Sequence, residues 1–319
     1  MLGRRVAAAV LVGALALGLF GCAKSPKKDM QEGSFYTFTD DVGREVELKK
    51  APEKVAVLFS SYADIWQLAG GSVAVSVGES IERGITAEGT PVVDSGAGKS
   101  IDAELLLSYE PDFVICSADI AGQMEAAEIL GQAGIATAAF RVESFADYLR
   151  VLKICTDITG QNEAYATCGT EIAGRIEDAR KAAQDKAAAQ GEKKILFIRA
   201  GSTYSATKAK TAENNFVCQM LEELGTQNIA EQAGALLEGL SLEEVLLQNP
   251  DYIFISTMGN EQAARQYMQE LFMQPEWQAL DAIKNGKYAF LPKELFHFKP
   301  NANWAEAYEY LAELLYGEK

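Results

Sequence analysis

The sequence has 319 residues, and its 45 acidic residues outnumber its 29 Lys and Arg residues, which gives a formal net charge of −16. This negative charge argues against nucleic acid and anionic lipid head groups as partners, because both repel an acidic surface. The length exceeds what one simple hydrophobic core needs and predicts two lobes.

The first residues are typical of a bacterial export signal. Arg4 and Arg5 precede an apolar run over 6–20, which is followed by Gly21 and Cys22. The run is shorter than the ~20 apolar residues that a membrane-spanning helix needs. An ordinary signal peptide or a short membrane helix is the alternative interpretation.

The four residues Leu-Phe-Gly-Cys that end at Cys22 resemble a lipobox, where a signal peptidase cleaves before a lipid-modified cysteine. We therefore predict a lipoprotein signal peptide over 1–21 and a mature chain that is anchored to the membrane through Cys22. The polar segment 22–34 is predicted to be a flexible tether. The protein is expected outside the cytoplasm, at the cell surface or on the periplasmic face.

Strands and helices alternate along the rest of the chain. Apolar runs predict strands over 55–59, 73–77, 113–115, 137–141, 195–199, 252–255 and 288–291. Helical periodicity predicts helices over 64–69, 123–131, 145–156, 216–224, 261–271 and 304–316. This alternation predicts an α/β protein with two doubly wound lobes.

Two segments of the sequence repeat one pattern. Glu104 stands seven residues before Pro111, and Glu243 stands seven residues before Pro250; each proline is followed by Asp and a continuous apolar run. A short helix, a Pro-Asp stop and a strand buried on both faces account for both copies. The repeat predicts that the two lobes are related.

A long helix is predicted between the two copies. Segment 162–189 lacks proline, and its apolar residues recur every three or four positions, which indicates a helix of about 28 residues and about 40 Å. Asn162 is expected to cap its start, and Gly191 to end it. A surface helix has the same period, but the length and position favour one α-helix that joins the lobes. The expected domains are an N-terminal lobe over 35–160, a connecting helix over 161–191 and a C-terminal lobe over 192–319.

Catalysis is poorly supported, so we expect no catalytic residue. His297 is the only histidine, and no G-x-S-x-G or H-E-x-x-H motif accompanies it. Gly98-Lys99-Ser100 resembles the end of a phosphate loop, but Val93 occupies the position of the required first glycine.

The cysteines show no metal-binding spacing, so no direct metal site and no cofactor are expected. Cys116 lies in an apolar strand and is expected in the core. Cys155 and Cys168 lie on consecutive predicted helices, and their spacing alone does not decide whether they form a disulfide.

Ligands of open α/β sheets bind outside the carboxyl ends of the strands, and distinctive side chains follow three predicted strands. These candidate ligand-binding residues are Ser60, Ser61, Tyr62, Trp66, Arg199, Tyr204, Phe296, His297 and Lys299. Arg141, Arg199 and Lys299 are basic residues near strand ends in an acidic chain, which predicts an anionic ligand with flat or aromatic parts. An internal ion pair for Arg199, a core position for Phe296 and a surface loop for His297 are the alternatives.

The mature chain resembles the periplasmic-binding-protein family that serves iron-siderophore, haem and vitamin B12 importers, the class III substrate-binding proteins with a helical backbone. The resemblance extends over 38–316. Its motifs are the hairpin segment 39–46, Ala-Pro-Glu-Lys-Val at 51–55, the repeated segments 105–115 and 250–255, and Phe-Lys-Pro-Asn at 298–301. Their order and spacing carry the resemblance.

The resemblance implies two lobes with limited hinge closure and a protein that performs no catalysis. It implies delivery of a small ligand to an ABC permease dimer with its cytoplasmic ATPase, by a substrate-binding protein that we expect to be a monomer. Glu104 and Glu243 match the positions of one permease-docking carboxylate on each lobe. Two solvated helix residues are the alternative for this pair.

The expected ligand is a ferric siderophore or haem, with a corrinoid as the runner-up. If the ligand is haem, Tyr62, Tyr204 and His297 are the candidate iron ligands; hydrogen bonds to a siderophore or to a corrin side chain are the alternative role for each of them. A structural or adhesive lipoprotein without a small ligand is the alternative of another class, because a fold does not prove a function.

Overall fold

The computed structural model describes residues 33–96 and 98–317. The predicted signal peptide 1–21, Cys22 and the predicted tether up to residue 32 lie outside the described residues. The N-terminal lobe is the part before residue 161, and the C-terminal lobe is the part after residue 191.

The chain enters the N-terminal lobe through an antiparallel hairpin, β1 (Tyr36–Thr39) and β2 (Glu45–Leu48). The carboxylate of Asp40 accepts hydrogen bonds from the backbone N–H groups of Val42 and Arg44 in the turn. It also accepts one from the N–H of Ala139, at 3.1 Å, which ties the hairpin to the edge strand of the first sheet. The predicted hairpin at 39–46 is confirmed.

Four parallel strands form the N-terminal sheet. They are β3 (Val55–Val57), β4 (Val73–Val75), β5 (Phe113–Ser117) and β6 (Ala136–Phe140), in the order β4-β3-β5-β6. All five residues of β5 are buried, as expected for a strand that is covered on both faces. The helices of this lobe are α1 (Ser60–Leu68), α2 (Gly78–Glu82), α3 (Ala103–Ser108), α4 (Ala121–Gln132) and α5 (Phe145–Thr159).

One continuous helix over 162–190 leads to the second lobe. It consists of α6 (Asn162–Tyr165), a π-helical turn (Ala166–Thr170) and α7 (Glu171–Gln190), and the predicted long helix is confirmed. Gln161 rather than Asn162 occupies the N-cap, and no side chain caps the helix there. In the π-helical turn, an added Cβ on Gly169 would lie 3.0 Å from a leucine of α5, so glycine permits this close packing. The hydroxyl of Tyr148 in α5 donates to the carbonyl oxygen of Cys168 at 2.7 Å, which anchors the turn to the N-terminal lobe.

The C-terminal sheet repeats the strand order of the first sheet. Its strands are β7 (Lys193–Ala200), β8 (Lys208–Ala209), β9 (Thr226–Asn228), β10 (Tyr252–Thr257) and β11 (Tyr288–Phe290). The parallel strands β7, β9, β10 and β11 are arranged so that the first strand lies between the second and the third, and the fourth lies at an edge, as in the N-terminal sheet. The short β8 pairs antiparallel with the end of β7 and has no N-terminal counterpart.

The helices of the C-terminal lobe complete the predicted alternation. They are α8 (Phe216–Glu223), α9 (Gly234–Glu238), α10 (Leu242–Gln248), α11 (Glu261–Phe272), α12 (Asp281–Lys284), α13 (Lys293–Phe296) and α14 (Trp304–Tyr316). The fold prediction of two doubly wound lobes joined by one long helix is confirmed.

The Pro-Asp repeat has the same structural role in both sheets. The residue before each proline has a left-handed backbone, with φ of 49° at Glu110 and 43° at Asn249. Asp112 and Asp251 then accept hydrogen bonds from a backbone N–H at the start of the neighbouring first strand, at 2.9 and 2.8 Å. In each lobe, the aspartate thus fixes the register between the first and third strands.

One hydrophobic cluster runs through both lobes. It contains Val57 of the N-terminal sheet, Phe197 and Phe254 of the C-terminal sheet, and Ile172 of the connecting helix. The opposite faces of the two sheets have separate clusters. Separation of the lobes along the shared cluster would expose apolar surface at a cost of roughly 25 cal/mol per Å², so this core favours small lobe movements.

The cysteines of the described part are free thiols. Cys116 lies in β5 and is fully buried, as predicted, and this burial raises its pKa to about 12. Cys155 lies in α5 and Cys168 in the π-helical turn, and they form no disulfide with each other.

Candidate functional site

A cavity of about 210 Å³, here called the Arg199 cavity, lies between the lobes. Glu143, which follows β6, lines it from the N-terminal lobe. The C-terminal lobe contributes Arg199 and Ser256 at the ends of β7 and β10, Phe216 at the start of α8, and Phe296, His297 and Lys299 after β11. The cavity therefore lies at the carboxyl ends of parallel strands, where ligands of this class of sheet bind.

Arg199 is the central charge of this cavity. Arg199 lies near the carboxyl end of β7. There β8 pairs with β7, and Lys208 is the residue opposite Arg199. Burial lowers the pKa of Arg199, and no carboxylate of the described residues counteracts this effect. A partly desolvated guanidinium without an anionic partner is unfavourable, because it has lost hydration that no ion pair replaces. An anionic ligand would supply the missing partner.

Lys299 adds positive charge to the wall of the cavity, and Lys210, which does not line it, lies close enough to feel the charge of Arg199. The ammonium group of Lys299 lies 5.0 Å from the centre of the Phe216 ring, and burial, which outweighs the attraction of nearby acids, lowers its pKa. The pKa of Lys210 is lowered by burial first and then by the charges of Arg199 and Lys208. In a chain of net charge −16, this concentration of cations at and near the cavity is a local exception.

His297 is neutral at pH 7. Its pKa lies below the ordinary value of 6.5, because burial and then the charges of Arg199 and Lys293 disfavour the imidazolium form. Its ring lies edge-on to that of Phe298, with the centroids 5.0 Å apart. A neutral imidazole at this position is able to accept or donate a hydrogen bond and to ligate a metal ion that a ligand carries.

The N-terminal lobe differs, because its arginine near a strand end is already paired and does not line the Arg199 cavity. Arg141, like Arg199 a basic residue near a strand end, donates to the carboxylate of Asp119 at 2.6 Å. This ion pair is exposed on both sides, so it contributes little to stability, but it satisfies the charge of Arg141. Glu143 is the N-terminal side chain that lines the Arg199 cavity.

Five predicted ligand-binding residues do not line the Arg199 cavity. Tyr62 and Trp66 are each 2 % exposed and lie in the core of the N-terminal lobe. The Tyr62 hydroxyl donates to the carbonyl oxygen of Phe140 at 2.9 Å, and Trp66 Nε1 donates to that of Ser72 at 3.0 Å. Both polar groups are satisfied inside the protein, so neither side chain is available to a ligand or to haem iron in this structure.

The remaining three predicted residues lie outside the cavity as well: Ser60 and Ser61 on helix α1, and Tyr204 in a 3-10 turn. Because α1 begins at Ser60 rather than at the predicted residue 64, Ser60 and Ser61 lie buried in its first turn, where both hydroxyls accept hydrogen bonds from Arg83. Tyr204 is 58 % exposed, and an added Cβ on Gly239 would lie 2.9 Å from its hydroxyl. Of the predicted set, the structure brings Arg199, Phe296, His297 and Lys299 together, and Phe296, which is 2 % exposed, also packs in the hydrophobic core, as its alternative interpretation had it.

Several cavity residues were missed from the sequence. Asn214 and Asn215 precede α8, and the side chain of Asn215 caps that helix by accepting the N–H of Val217 at 2.9 Å. Two asparagines before an apolar helix are a detectable N-cap signal. Ser256 could have been predicted from the sequence. It comes directly after the apolar run that ends at residue 255, and ligands bind at the ends of such strands.

Two contacts hold the lobes together beside the cavity. The guanidinium of Arg83 from the N-terminal lobe lies 4.0 Å from the centre of the Phe298 ring of the C-terminal lobe. Asn301 Nδ2 donates to the carbonyl oxygen of Ser61 at 2.8 Å and to Asp64 Oδ2 at 2.7 Å. Burial raises the pKa of Asp64 against the opposing effect of this hydrogen bond. These contacts fix the width of the cleft next to Arg199.

Glu104 and Glu243 occupy equivalent exposed positions. Each lies in the first turn of a short helix, α3 in one lobe and α10 in the other. Both positions are available to a partner protein, and both carboxylates also interact favourably with the dipole of their helix.

Within residues 33–96 and 98–317, no helix is both long enough and apolar enough to cross a membrane. The same residues contain no cluster of three or more His, Cys, Asp or Glu side chains that would hold a metal ion.

The model of the periplasmic binding protein family matches residues 55–295. The chain belongs to this family. Members of the family are substrate-binding proteins of ABC transporters that act outside the cytoplasm, and they are not enzymes. The match includes both parallel sheets, the connecting helix and Arg199, and it ends just before Phe296, His297 and Lys299; it confirms the expected family.

Solved structures of similar fold include three substrate-binding proteins. Staphylococcus aureus SirA complexed with staphyloferrin B has a TM-score of 0.65 and 17% identity, over 88% of this chain and 97% of that chain. The periplasmic heme-binding protein RhuT from Roseiflexus sp. RS-1, in apo form, has a TM-score of 0.63 and 20% identity, over 83% of this chain and 98% of that chain. An ABC transporter substrate-binding protein from Listeria monocytogenes EGD-e has a TM-score of 0.66 and 16% identity, over 84% of this chain and 100% of that chain. Identities this low show the fold alone, and no curated protein matches the sequence.

Proposed function

We propose that this substrate-binding protein is lipid-anchored through Cys22, captures an acidic ferric chelate of the siderophore class in the Arg199 cavity and delivers it to an ABC permease. The observation that carries the proposal is the position of Arg199, which lines an interlobe cavity and has no carboxylate partner among the described residues. SirA, which is similar in fold, is complexed with staphyloferrin B.

Binding would replace the water around the cations with ligand oxygens. Arginine presents two parallel N–H donors that match a carboxylate, and such charge-assisted hydrogen bonds are about twice as strong as neutral ones. Lys299 would add a point charge from the side of Phe216, and Asn214 and Ser256 offer neutral polar groups. The ligand would carry the iron, so the protein itself needs no metal site.

Haem is the second candidate, because His297 favours it. The imidazole of His297 lines the same cavity, and its lowered pKa keeps it neutral and able to ligate iron at pH 7. The cations would then bind the acidic groups of the haem. Neither Tyr62, which is in the core, nor Tyr204, which is outside the cavity, supports this candidate.

Delivery would use the two equivalent carboxylates. Glu104 and Glu243 are exposed on corresponding helices of the two lobes, so together they define an orientation of the whole protein. Exposed charge pairs are each worth less than ~1 kcal/mol, so this contact would set the orientation and the encounter rate rather than the affinity.

Titration with candidate ligands tests the function. Purified protein is mixed with ferric citrate, ferric staphyloferrin B, haem and cobalamin, and binding is followed by visible absorbance and tryptophan quenching. We expect at least one acidic ferric chelate to bind with a Kd of about 1 μM or below and to bind more weakly at high salt. A haem spectrum that changes with His297→Ala would favour the second candidate, and a response to cobalamin alone would favour a corrinoid. No response to any of the four would contradict a receptor for these ligands.

A further inference from the structure

The wall of the Arg199 cavity contains an acidic side chain opposite its cations. Of the described residues that line the cavity, Glu143 is the acidic one, and it is also the one that the N-terminal lobe supplies. It lies in the short segment between β6 and α5. Arg199 and Lys299 line the cavity from the C-terminal lobe. The two sides of the cavity therefore carry opposite charges.

The carboxylate of Glu143 is not used inside the protein. Burial lowers the pKa of Lys299, and the charge of Glu143 is the largest effect that opposes this, ahead of Asp119 and Asp147. Asp119 is paired with Arg141, and Asp147 belongs to the capping box at the start of α5. Glu143 donates its backbone N–H to Asp147, but its carboxylate forms no hydrogen bond or ion pair with the part of the chain that the structure describes. Of these three acids, Glu143 is the one left available.

A ligand between the lobes would meet both charges at once. An acidic group is attracted to Arg199 and Lys299 but repelled by Glu143, and both effects grow when the ligand displaces water. The ligand also removes water from the exposed carboxylate of Glu143, which is unfavourable unless a donor replaces that water. A protonated amine is the most favourable donor, because it supplies charge-assisted hydrogen bonds. The charges of the two walls thus fit a ligand with an acidic side and a basic side.

We propose that Glu143 is a specificity-determining residue, which selects an amphoteric ligand whose acidic groups bind Arg199 while a protonated amine binds Glu143. The inference rests on the proposed function and narrows its ligand to acidic chelates that also carry an amine. The same carboxylate disfavours ligands that have acidic groups alone, and such rejection is a common source of specificity. The selection favours the chelate over haem, which carries no amine.

Two small diacids test this selection. Succinate and aspartate share a four-carbon chain with two carboxylates, and aspartate carries an ammonium group in addition. His297 is the only histidine of the chain and lines the cavity, so in protein without a histidine tag a single imidazole signal reports binding. The purified protein is titrated with each diacid at pH 7, and this signal is followed by NMR. We expect aspartate to bind about threefold or more tightly than succinate, although its net negative charge is smaller.

Two matched variants separate Glu143 from a general effect of charge. Glu143→Gln removes the charge and keeps the size of an exposed side chain, so the fold should be unaffected. We expect it to weaken aspartate binding and to strengthen succinate binding, so that the ratio of the two dissociation constants changes by about tenfold. Glu128→Gln is the control, because Glu128 is exposed on α4 of the same lobe and does not line the cavity. It makes the same change in net charge and should leave the ratio as in the wild type.

The outcomes distinguish the two proposals. If Glu143→Gln changes both affinities by the same factor, or if succinate binds the wild type more tightly than aspartate, then Glu143 does not select an amine and the inference is wrong. Binding of succinate or ferric citrate would leave the proposed function standing in that case. Failure of both diacids and of ferric citrate to bind would instead contradict the anionic ligand of the proposed function and, with it, this selection.

Discussion

The two lobes share a framework but differ in how they treat charge. In both, the strand order is the same and an aspartate after a proline fixes the first strand against the third. In the N-terminal lobe, Arg141 near the end of β6 is paired with Asp119. In the C-terminal lobe, Arg199 at the end of β7 has no anionic partner in the part of the chain that the structure describes.

This difference shows that a repeated fold does not repeat its chemistry. Register and strand order depend on backbone hydrogen bonds, which both copies of the Pro-Asp motif provide. Under the proposed function, ligand recognition would depend instead on the unpaired charge at a strand end, which is Arg199 on the C-terminal side.

Reversal of both exposed glutamates tests the feature that the lobes share and has the largest expected effect. The double variant Glu104→Lys with Glu243→Lys should lose uptake of the ligand in cells, because two attractive contacts with the permease become repulsive. Ligand affinity of the purified protein should be unchanged. The control with the same change in net charge is Glu128→Lys with Glu270→Lys, two exposed residues elsewhere on the lobes. Lost affinity, or uptake equal to that of the control, would contradict docking through these positions.

Removal of one arginine from each lobe tests the difference between them. Arg199→Met should weaken binding of ferric citrate by roughly 30-fold or more, since loss of one partner of a desolvated charge pair costs about 2–5 kcal/mol. Arg141→Met should weaken it less than about threefold, because this side chain is exposed and paired with Asp119. Isothermal titration calorimetry measures both. Equal losses in the two variants would show that the lobes contribute alike.

Removal of the strand-fixing aspartates has the smallest expected effect and sharpens the comparison. Asp112 accepts two backbone N–H groups, those of Glu53 and Lys54, whereas Asp251 accepts that of Lys194. We expect Asp112→Ala to lower the free energy of unfolding by about 2 kcal/mol and Asp251→Ala by about 1 kcal/mol. Urea unfolding at pH 7 checks both values. A larger loss for Asp251→Ala would contradict this assignment.

The contribution of Asp112 should depend on pH. Partial burial opposes ionisation of this carboxyl, but the N–H groups of Glu53 and Lys54 and the charge of Lys50 bring its pKa below the ordinary value of 3.8. The stabilisation is therefore fully present above about pH 4 and is lost as the pH falls through the lower pKa of the folded state. The difference in stability between the wild type and Asp112→Ala should narrow over that range.

The sequence alone determined the framework of this protein. Helical and strand periodicity, the Pro-Asp repeat and the proline-free segment 162–189 are local features, because each depends on backbone preferences and on the burial of neighbouring residues. They predicted the two related lobes and the long helix. Strand ends also identified Arg199 and Lys299, since every strand of a parallel sheet ends at the same edge.

Only the tertiary structure decided which side chains reach the cavity. Tyr62 bonds to a carbonyl oxygen 78 residues away, and no local pattern shows that partner. Arg199 and Arg141 look alike in the sequence, and they differ because Asp119 lies beside only Arg141 after folding. Whether a polar group is satisfied depends on distant chain segments, so the fold alone settles it.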